Sequence, residues 1–133
     1  MTLPAGARVR ATRAFACSQQ AMLRFTLAQD PDTALARYEG LLQELQEVVR
    51  RLAWAPASGR PARFLDAASL QGQALAQRAQ QLAAGLGAPN LREVVLKRHL
   101  LLYAHSDSEV YLLALKHERQ LAYELPAGTG ASR

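Results

Sequence analysis

The apolar positions of the chain follow the helical period in its first half. They recur every three or four residues from Leu35 to Leu52, and a shorter run with the same spacing covers Ala14 to Ala28. Both patterns predict amphipathic helices. The intervening QDPD places Asp30 at the N-cap of the second helix and Pro31 in its first turn. Because this link is short, the two helices should form an antiparallel hairpin. The predicted apolar stripe of the longer helix comprises Leu35, Tyr38, Leu42, Leu45, Val49 and Leu52.

From Leu91 onward the period changes to that of β-strands. LREVVLKR, HLLLYAH and EVYLLALKH are rich in Val, Leu and Tyr, and SDS between the last two is a hairpin link, so they predict an antiparallel meander. Near the N-terminus, the alternating ARVRATR of Ala7–Arg13 predicts one more strand. The last two strands are apolar on both faces. We therefore expect helices over one face of the sheet and something else over the other.

The segment between the two halves predicts an additional helix. A turn-rich connector, APASGRPARF, is followed by Asp66 as a possible cap and by leucines at helical spacing up to Leu86. The apolar stripe of this helix is thin, so light packing is expected. RQLAYEL predicts a short closing helix, and residues 126–133 a disordered tail. The sequence thus predicts a single α+β domain over residues 1–125, with a helical insert at about 64–89 before the meander.

The composition restricts the cellular compartments and the classes of binding partner that suit this chain. Half the residues are hydrophobic, but no run approaches the ~18 needed to cross a membrane. Arginines stand where a signal peptide would need apolar residues, and the single cysteine, Cys17, suits a reducing compartment and a place in the core. We expect a cytoplasmic protein. Sixteen basic residues against eleven acidic ones suit an acidic partner or a nucleic acid, unless they only reflect an arginine-preferring proteome.

Several local motifs, in this order, resemble the RelE/ParE superfamily of bacterial type II toxin–antitoxin systems. VRATRAF resembles the first strand and helix of that family, DPDTALARYEGLLQEL its second helix, and GRP the turn that follows. LREVVL resembles the next strand, and HLLLYAHSDSEVYLLALKHERQ the closing hairpin with its H-x-R-Q ending. The resemblance covers about residues 7–125 except the insert, which departs from the family pattern and leaves partner geometry near it open.

The resemblance implies a toxin that a cognate antitoxin neutralises. Proteins of this family are also called plasmid stabilisation proteins. ParE-like members bind and inhibit DNA gyrase, whereas RelE-like members cleave mRNA on the ribosome without a metal. We expect the ParE-like, non-enzymatic activity, because RelE-like sites often rely on paired lysines and this chain holds only Lys97 and Lys116. A non-toxic structural or adaptor domain is a further alternative. A homodimer or a heterotetramer with the antitoxin is the expected assembly.

The resemblance also supplies candidate site residues. If the chain were a nuclease, His117 would be the acid or base, Arg119 a phosphate clamp and Tyr123 a stacking or proton-transfer group. Alternation places His117 on the same strand face as Leu113 and Leu115. Target or nucleic-acid binding is assigned to Arg92, Lys97, Arg98, Arg119 and Gln120, and an antitoxin groove to Leu101, Tyr103, Tyr111 and Leu113.

No cofactor or metal site is expected from the spacing of possible ligands. His99 and His105 lie about 20 Å apart along one strand, and no Asp or Cys stands at ligand spacing from either. No phosphate-binding glycine loop and no Ser–His–Asp order stands out. Trp54, at the end of the long helix, is expected to close the core, with partner contact as the minority interpretation.

Overall fold

A computed structural model describes residues 6–120, 122, 123 and 125. The strands are β1 (Arg8–Ala11), β2 (Arg60–Pro61), β3 (Asn90–Val95), β4 (His99–His105) and β5 (Glu109–His117). The helices are α1 (Arg13–Gln29), α2 (Ala34–Trp54) and α3 (Leu70–Gly85), and two short 3-10 turns lie in the connector after α2, at Pro56–Ser58 and Arg63–Asp66.

The strands form one mixed sheet in the order β1-β5-β4-β3-β2. β1 pairs parallel with β5, and the other neighbours are antiparallel, so β3, β4 and β5 form the predicted meander. The α+β class is therefore confirmed, as is the order from the N-terminal strand through the helical hairpin and the additional helix to the meander. The sequence interpretation missed β2, because its two residues lie in what it took for a turn at GRP.

Helices cover both faces of the sheet. The α1–α2 hairpin packs on one face through Phe15, Met22, Leu41, Leu45 and Leu52. The insert packs on the other face, where α3 contributes Leu75 and the small residues Ala79 and Ala83. The second apolar face of the meander is thus covered by the chain's own insert.

The sequence placed several helix features incorrectly. Asp30 is the C-cap of α1 and forms an ion pair with Arg37 at 3.3 Å. The N-cap position of α2 is occupied by Thr33. The buried stripe of α2 passes through Leu41 and Val48 instead of Leu42 and Val49, and Leu35 is 70% exposed. Ser69, whose hydroxyl accepts from the Gly72 N–H at 3.0 Å, caps α3 in place of Asp66.

Other departures concern exposure and the C-terminal segment. Cys17 is exposed, and Trp54 is 67% exposed, so neither belongs to the core. The described residues of the segment 119–125 form a turn and no helix, while Leu121, Glu124 and the tail 126–133 lie outside the described residues.

A β-bulge in β5 decides which way its last residues face. Leu102 pairs with Ala114 but Tyr103 with Leu112, which leaves Leu113 as an extra residue. Consequently Leu113 and Ala114 both pack on the α3 side, whereas Leu115 returns to the hairpin side. The prediction that His117 shares a face with Leu113 was wrong, because strict alternation does not survive a bulge.

Helix α1 completes the edge of β5 beyond the end of β1. The hydroxyl of Ser18 donates to the Leu115 carbonyl and accepts from the Leu115 N–H, both at 2.8 Å. At the start of the helix, Thr12 caps α1 through the Phe15 N–H and donates its hydroxyl to the Leu112 carbonyl at 2.8 Å. These side chains satisfy buried backbone groups that a neighbouring strand would otherwise satisfy.

We expect the amides of α3 to exchange with solvent faster than those of α2. Three of the four buried residues of α3 are alanines, whereas α2 buries three leucines and a valine, so local opening of α3 exposes less apolar surface. Hydrogen exchange followed by mass spectrometry on residues 70–85 and 34–54 measures the difference. Equal protection of the two helices would contradict this expectation.

Candidate functional site

The predicted nuclease triad does not converge in the structure. His117 lies on the hairpin side of the sheet, where its ring packs at a tilt of 43° against Phe25, with 5.4 Å between centroids. Tyr123 is buried on the opposite side and donates its hydroxyl to Glu93 at 2.6 Å. Arg119 is exposed in the turn after β5, and its backbone N–H donates to His117 Nδ1 at 3.1 Å. The bulge in β5 produces this separation by turning His117 away from the α3 side.

His117 instead belongs to a groove between the helical hairpin and the ends of β4 and β5. This hairpin groove has a volume of about 430 Å³ and joins residues of α1, α2 and the β3–β4 turn. Such a volume lies within the usual range of ligand pockets, ~300–1,000 Å³. The polar, aromatic and glycine residues that line it are Thr26, Arg37, Tyr38, Gly40, Gln43, Glu44, Glu47, Lys97, Arg98, His99 and His117, with Met22 and Leu41 as its apolar floor.

Two histidines meet edge to face at the inner end of the hairpin groove. The rings of His99 and His117 are 5.0 Å apart between centroids. His99 is 9% exposed, and its Nε2 is buried with no hydrogen-bond partner among the described residues. Burial, then the nearby His117 and Arg98, lower the pKa of His99 from 6.5 to about 4. Burial also lowers the pKa of His117, an effect that Glu118 opposes. At neutral pH, His99 is therefore an uncharged donor and acceptor.

We expect the free energy of unfolding to fall between about pH 6.5 and about pH 4. In this window the unfolded chain protonates His99 while the folded chain does not, so acid favours unfolding. Denaturant titrations at pH 7 and pH 5 should show the loss, and His99→Phe, which removes the titrating group, should reduce it. An unchanged pH dependence in His99→Phe would contradict the assignment to this ring.

A second cluster of charged groups lies on the opposite face of the sheet. Glu93, on β3, is 2% exposed and accepts from Arg60 Nε, from the Arg63 backbone N–H and from the Tyr123 hydroxyl, at 3.1, 3.1 and 2.6 Å. Lys116 stands nearby and donates its ammonium to the Gln120 carbonyl at 2.7 Å. We call Glu93, Arg60, Arg63, Lys116 and Tyr123 the Glu93 cluster. It lines a cavity of about 250 Å³ between β3 and the insert.

Burial and a hydrogen bond to Glu93 keep the phenol of the Glu93 cluster protonated. Burial and the bond to the Glu93 carboxylate raise the pKa of Tyr123 far above its usual value, so the phenol stays protonated as a donor. Burial lowers the pKa of Lys116, which Glu93 partly offsets. The arrangement links three parts of the chain: the connector through Arg60, the sheet through Glu93 and the C-terminal segment through Tyr123.

The five residues assigned to target binding are divided between separate places. Lys97 and Arg98 lie in the β3–β4 turn at the rim of the hairpin groove. Arg92 instead donates to His105 Nε2 at 3.1 Å and to the Gly59 carbonyl at 2.9 Å, which is a structural use. Gln120 accepts from the His117 N–H at 2.8 Å and closes the turn that holds Arg119.

The four residues assigned to an antitoxin groove do not form an open surface. Leu101 and Tyr103 are buried under the α1–α2 hairpin, whereas Tyr111 and Leu113 are buried under the insert. Each is at most 6% exposed. The sequence interpretation did not expect α3 to cover the second face, because the helix has few large apolar residues. In the structure its alanines pack against the sheet.

Sequence reasoning did not identify Glu93, Arg60 and Arg63 as parts of one site, nor Gly40 as a residue of the hairpin groove. Glu93 carried a usable signal, because a single acid inside the apolar strand LREVV shares parity with Leu91 and so faces a core. Arg60 and Arg63 carried none, since arginines in a connector are ordinarily solvated. The two histidines, 18 residues apart, meet only because β4 and β5 pair with His99 opposite His117.

The described part of the chain holds neither a cluster of metal ligands nor a candidate transmembrane helix. Within residues 6–120, 122, 123 and 125, no three His, Cys, Asp or Glu side chains gather as a metal site would require. Over the same residues, no helix combines the length and apolar character of a transmembrane segment.

Comparison with known proteins identifies a fold but no family. No protein-family model matches the sequence, and no curated protein matches it. A solved chain described as "Chromosomal ParDE TA system from P. aeruginosa" superimposes with a TM-score of 0.51. The match covers 84% of this chain and 95% of the other, at 17% identity. The chain therefore shares its α+β fold with a component of a ParDE toxin–antitoxin system.

Proposed function

We propose that this protein is the toxin of a bacterial type II toxin–antitoxin system, held inactive in the cytoplasm by a cognate antitoxin. The fold shared with a chain of the P. aeruginosa ParDE system supports this proposal. The ordered motifs from VRATRAF to H-x-R-Q support it independently, because they resemble the RelE/ParE superfamily at the level of sequence. The excess of basic residues suits a partner that carries acidic segments.

The proposed mode of action is ParE-like: binding and inhibiting a target such as DNA gyrase. The observation that carries it is the separation of the nuclease candidates, with His117 on one face of the sheet and Tyr123 bonded to Glu93 on the other. Acid–base cleavage needs its groups within hydrogen-bond reach of one phosphodiester, and residues on opposite faces do not meet that condition.

Unopposed expression of the chain should arrest growth of a bacterial host. The proposal requires an adjacent gene for a small acidic antitoxin, and co-expression of that gene should restore growth. Colony counts after induction, with and without that second gene, measure the effect. Normal growth in both cases would contradict the toxin proposal and favour the adaptor alternative. A supercoiling assay with purified gyrase then tests the target, and full activity at micromolar toxin would reject gyrase.

The Arg119→Ala variant tests the target surface. Arg119 is exposed, and its hydrogen bond to His117 runs from its backbone, so loss of its side chain should leave the melting temperature within a few degrees. Toxicity should fall while antitoxin binding is retained. Arg78→Ala, an equal charge change on the exposed side of α3, is the matched control and should remain toxic. Full toxicity of Arg119→Ala would remove Arg119 from the target surface.

Metal-independent RNA cleavage is the second candidate function. If the chain is a nuclease, the Glu93 cluster is a better candidate for its catalytic site than the triad predicted from sequence. A carboxylate, a protonated phenol and three cations stand around one cavity, as a base, an acid and phosphate ligands would. Glu93 is 2% exposed with its oxygens occupied, so cleavage would require the C-terminal segment to open. Mapping of transcript ends after induction decides: codon-positioned cuts by the wild type would establish a nuclease. Glu93→Gln is compared at a temperature at which it remains folded, and cuts that persist in the folded variant would exclude Glu93 as the base.

A further inference from the structure

One large aromatic side chain lies outside the core, at the end of α2. Trp54 is the single tryptophan of the chain and is 67% exposed. Ala55 and Ala57, which follow it in the connector, are exposed as well. A tryptophan that becomes buried removes about 150–250 Å² of surface from water, and tryptophan and arginine often dominate the binding energy of protein interfaces. This end of α2 therefore offers a partner a site at which to gain affinity.

Two arginines without an ion pair lie beside this ring. Arg50 and Arg51 precede Trp54 by one helical turn, which makes them its neighbours on the helix surface, and both are exposed. Among the residues that the structure describes, neither forms an ion pair. We call Arg50, Arg51, Trp54, Ala55 and Ala57 the Trp54 surface.

Arg92 adds a further positive charge on the other side of the connector. It donates to the Gly59 carbonyl and to His105 Nε2, and because that nitrogen accepts, the imidazole is neutral. Burial raises the pKa of Tyr103, and the Gly59 N–H, Arg92 and Arg51 oppose this effect. Both arginines are thus close enough to the Tyr103 hydroxyl, which the connector contacts, to influence its charge.

The acids at this end of the molecule do not neutralise these arginines. Glu93 is buried on the α3 side of the sheet and bonded to Arg60, which leaves Glu47, one turn before Arg50, as the nearest exposed acid along α2. A net positive charge favours an acidic partner. A second copy of this chain would bring arginines against arginines. The continuous phosphates of a nucleic acid would also meet Glu47, whereas a peptide needs carboxylates only where the arginines lie.

We propose that the Trp54 surface is the docking site for an acidic segment of the antitoxin. An aliphatic or aromatic side chain of that segment packs on the Trp54 ring, and carboxylates on either side of it pair with Arg50 and Arg51. The identity of the partner rests on the proposed toxin function, whereas the chemistry of the surface does not. The site lies outside the two faces of the sheet, which the chain's own helices cover.

The fluorescence of Trp54 reports binding directly, because the chain has no other tryptophan. The probe is a synthetic peptide of glutamate and leucine at helical spacing, and a control peptide carries glutamine in place of glutamate. With the purified full chain, the acidic peptide should move the emission to shorter wavelength with a Kd below about 1 mM, and the control should bind about tenfold more weakly. In the free chain, iodide should quench the ring more strongly than caesium does, because the surroundings are cationic.

Two pairs of variants locate the binding. Arg50→Ala combined with Arg51→Ala should weaken the acidic peptide about tenfold, while Arg78→Ala on α3 should not change its affinity. Trp54→Ala, followed by calorimetry, should weaken it by a similar factor. Leu35→Ala removes an equally exposed apolar side chain from the other end of α2 and should have no effect. All these side chains are exposed, so the melting temperature should stay within a few degrees.

The growth assay connects the surface to the antitoxin. The antitoxin should restore growth less completely against the Arg50→Ala, Arg51→Ala toxin than against the wild type. Complete rescue of that variant, or an emission that the acidic peptide leaves unchanged, would overturn the inference and leave the toxin function standing. A wild type without toxicity would reject the proposed function and with it the identity of the partner, and the peptide titration would still decide the chemistry of the surface.

Two further results would assign the Trp54 surface to another occupant and so overturn the inference. Protection of the ring from iodide in the free chain, lost when residues 1–5 are deleted, would show that the chain covers it itself. Tighter binding of a single-stranded RNA than of the acidic peptide would assign the surface to a nucleic acid.

Discussion

Alanine at Gly59 should destabilise the fold by about 2–3 kcal/mol, as expected for overpacking of a filled site. A Cβ at this position would lie 2.7 Å from the Glu93 carbonyl oxygen and 2.7 Å from the Tyr103 hydroxyl. Neither group can move freely. The Glu93 carbonyl is backbone of β3, and the Tyr103 hydroxyl is fixed by donation to the Pro56 carbonyl at 2.6 Å. The Gly59 backbone has ordinary angles, so the requirement for glycine is one of close approach.

Gly40→Ala is the matched control for this prediction, with the opposite sign. Its added methyl group meets open space within a regular helix, so the substitution should stabilise by about 0.5–1 kcal/mol. Urea denaturation of the wild type and both variants measures the free energies of unfolding. A loss below about 0.5 kcal/mol in Gly59→Ala would show that the connector after α2 shifts easily, and that Tyr103 does not fix it.

Glu93→Gln should destabilise by about 3 kcal/mol and lower the melting temperature by about 10 °C. The substitution removes the charge that Arg60 and the Arg63 N–H are bonded to, and it replaces one acceptor of the carboxylate by a donor. The expected loss lies at the low end for buried ion pairs, because the Arg60 side chain is 39% exposed and regains water. Glu47→Gln, an exposed carboxylate on α2, should change stability by less than about 0.5 kcal/mol.

A double-mutant cycle identifies which contact is responsible. Tyr123→Phe alone should lose about 1–2 kcal/mol, because it removes a buried donor from the Glu93 carboxylate. Combined with Glu93→Gln, the losses should be less than additive by about 1 kcal/mol, since both substitutions break the same hydrogen bond. Strict additivity would mean that the C-terminal segment is not held to β3 through this pair.

The physical basis of the sequence predictions explains their unequal success. The period of the apolar residues is a local property, so it correctly predicted α1, α2 and the meander of β3, β4 and β5. The predicted helix boundaries and buried helix faces were less accurate. Ser69 caps α3 where Asp66 was expected, and Thr33 takes the N-cap position of α2 without a side-chain hydrogen bond. The local pattern offered no means of choosing these residues over the nearby aspartates. The placement of Leu41 in the core and Leu42 at its margin depends on where the sheet lies.

The sequence by itself determined the α+β class, the order of the elements and the basic, single-cysteine character of the chain. The tertiary structure alone decided the sites. The bulge at Leu113 turned His117 toward the hairpin, and the pairing of β4 with β5 then set it against His99. The packing of α3 covered the second face and gathered Arg60 and Tyr123 around Glu93. Register and bulges arise from contacts between residues far apart in the chain, and a local pattern does not contain them.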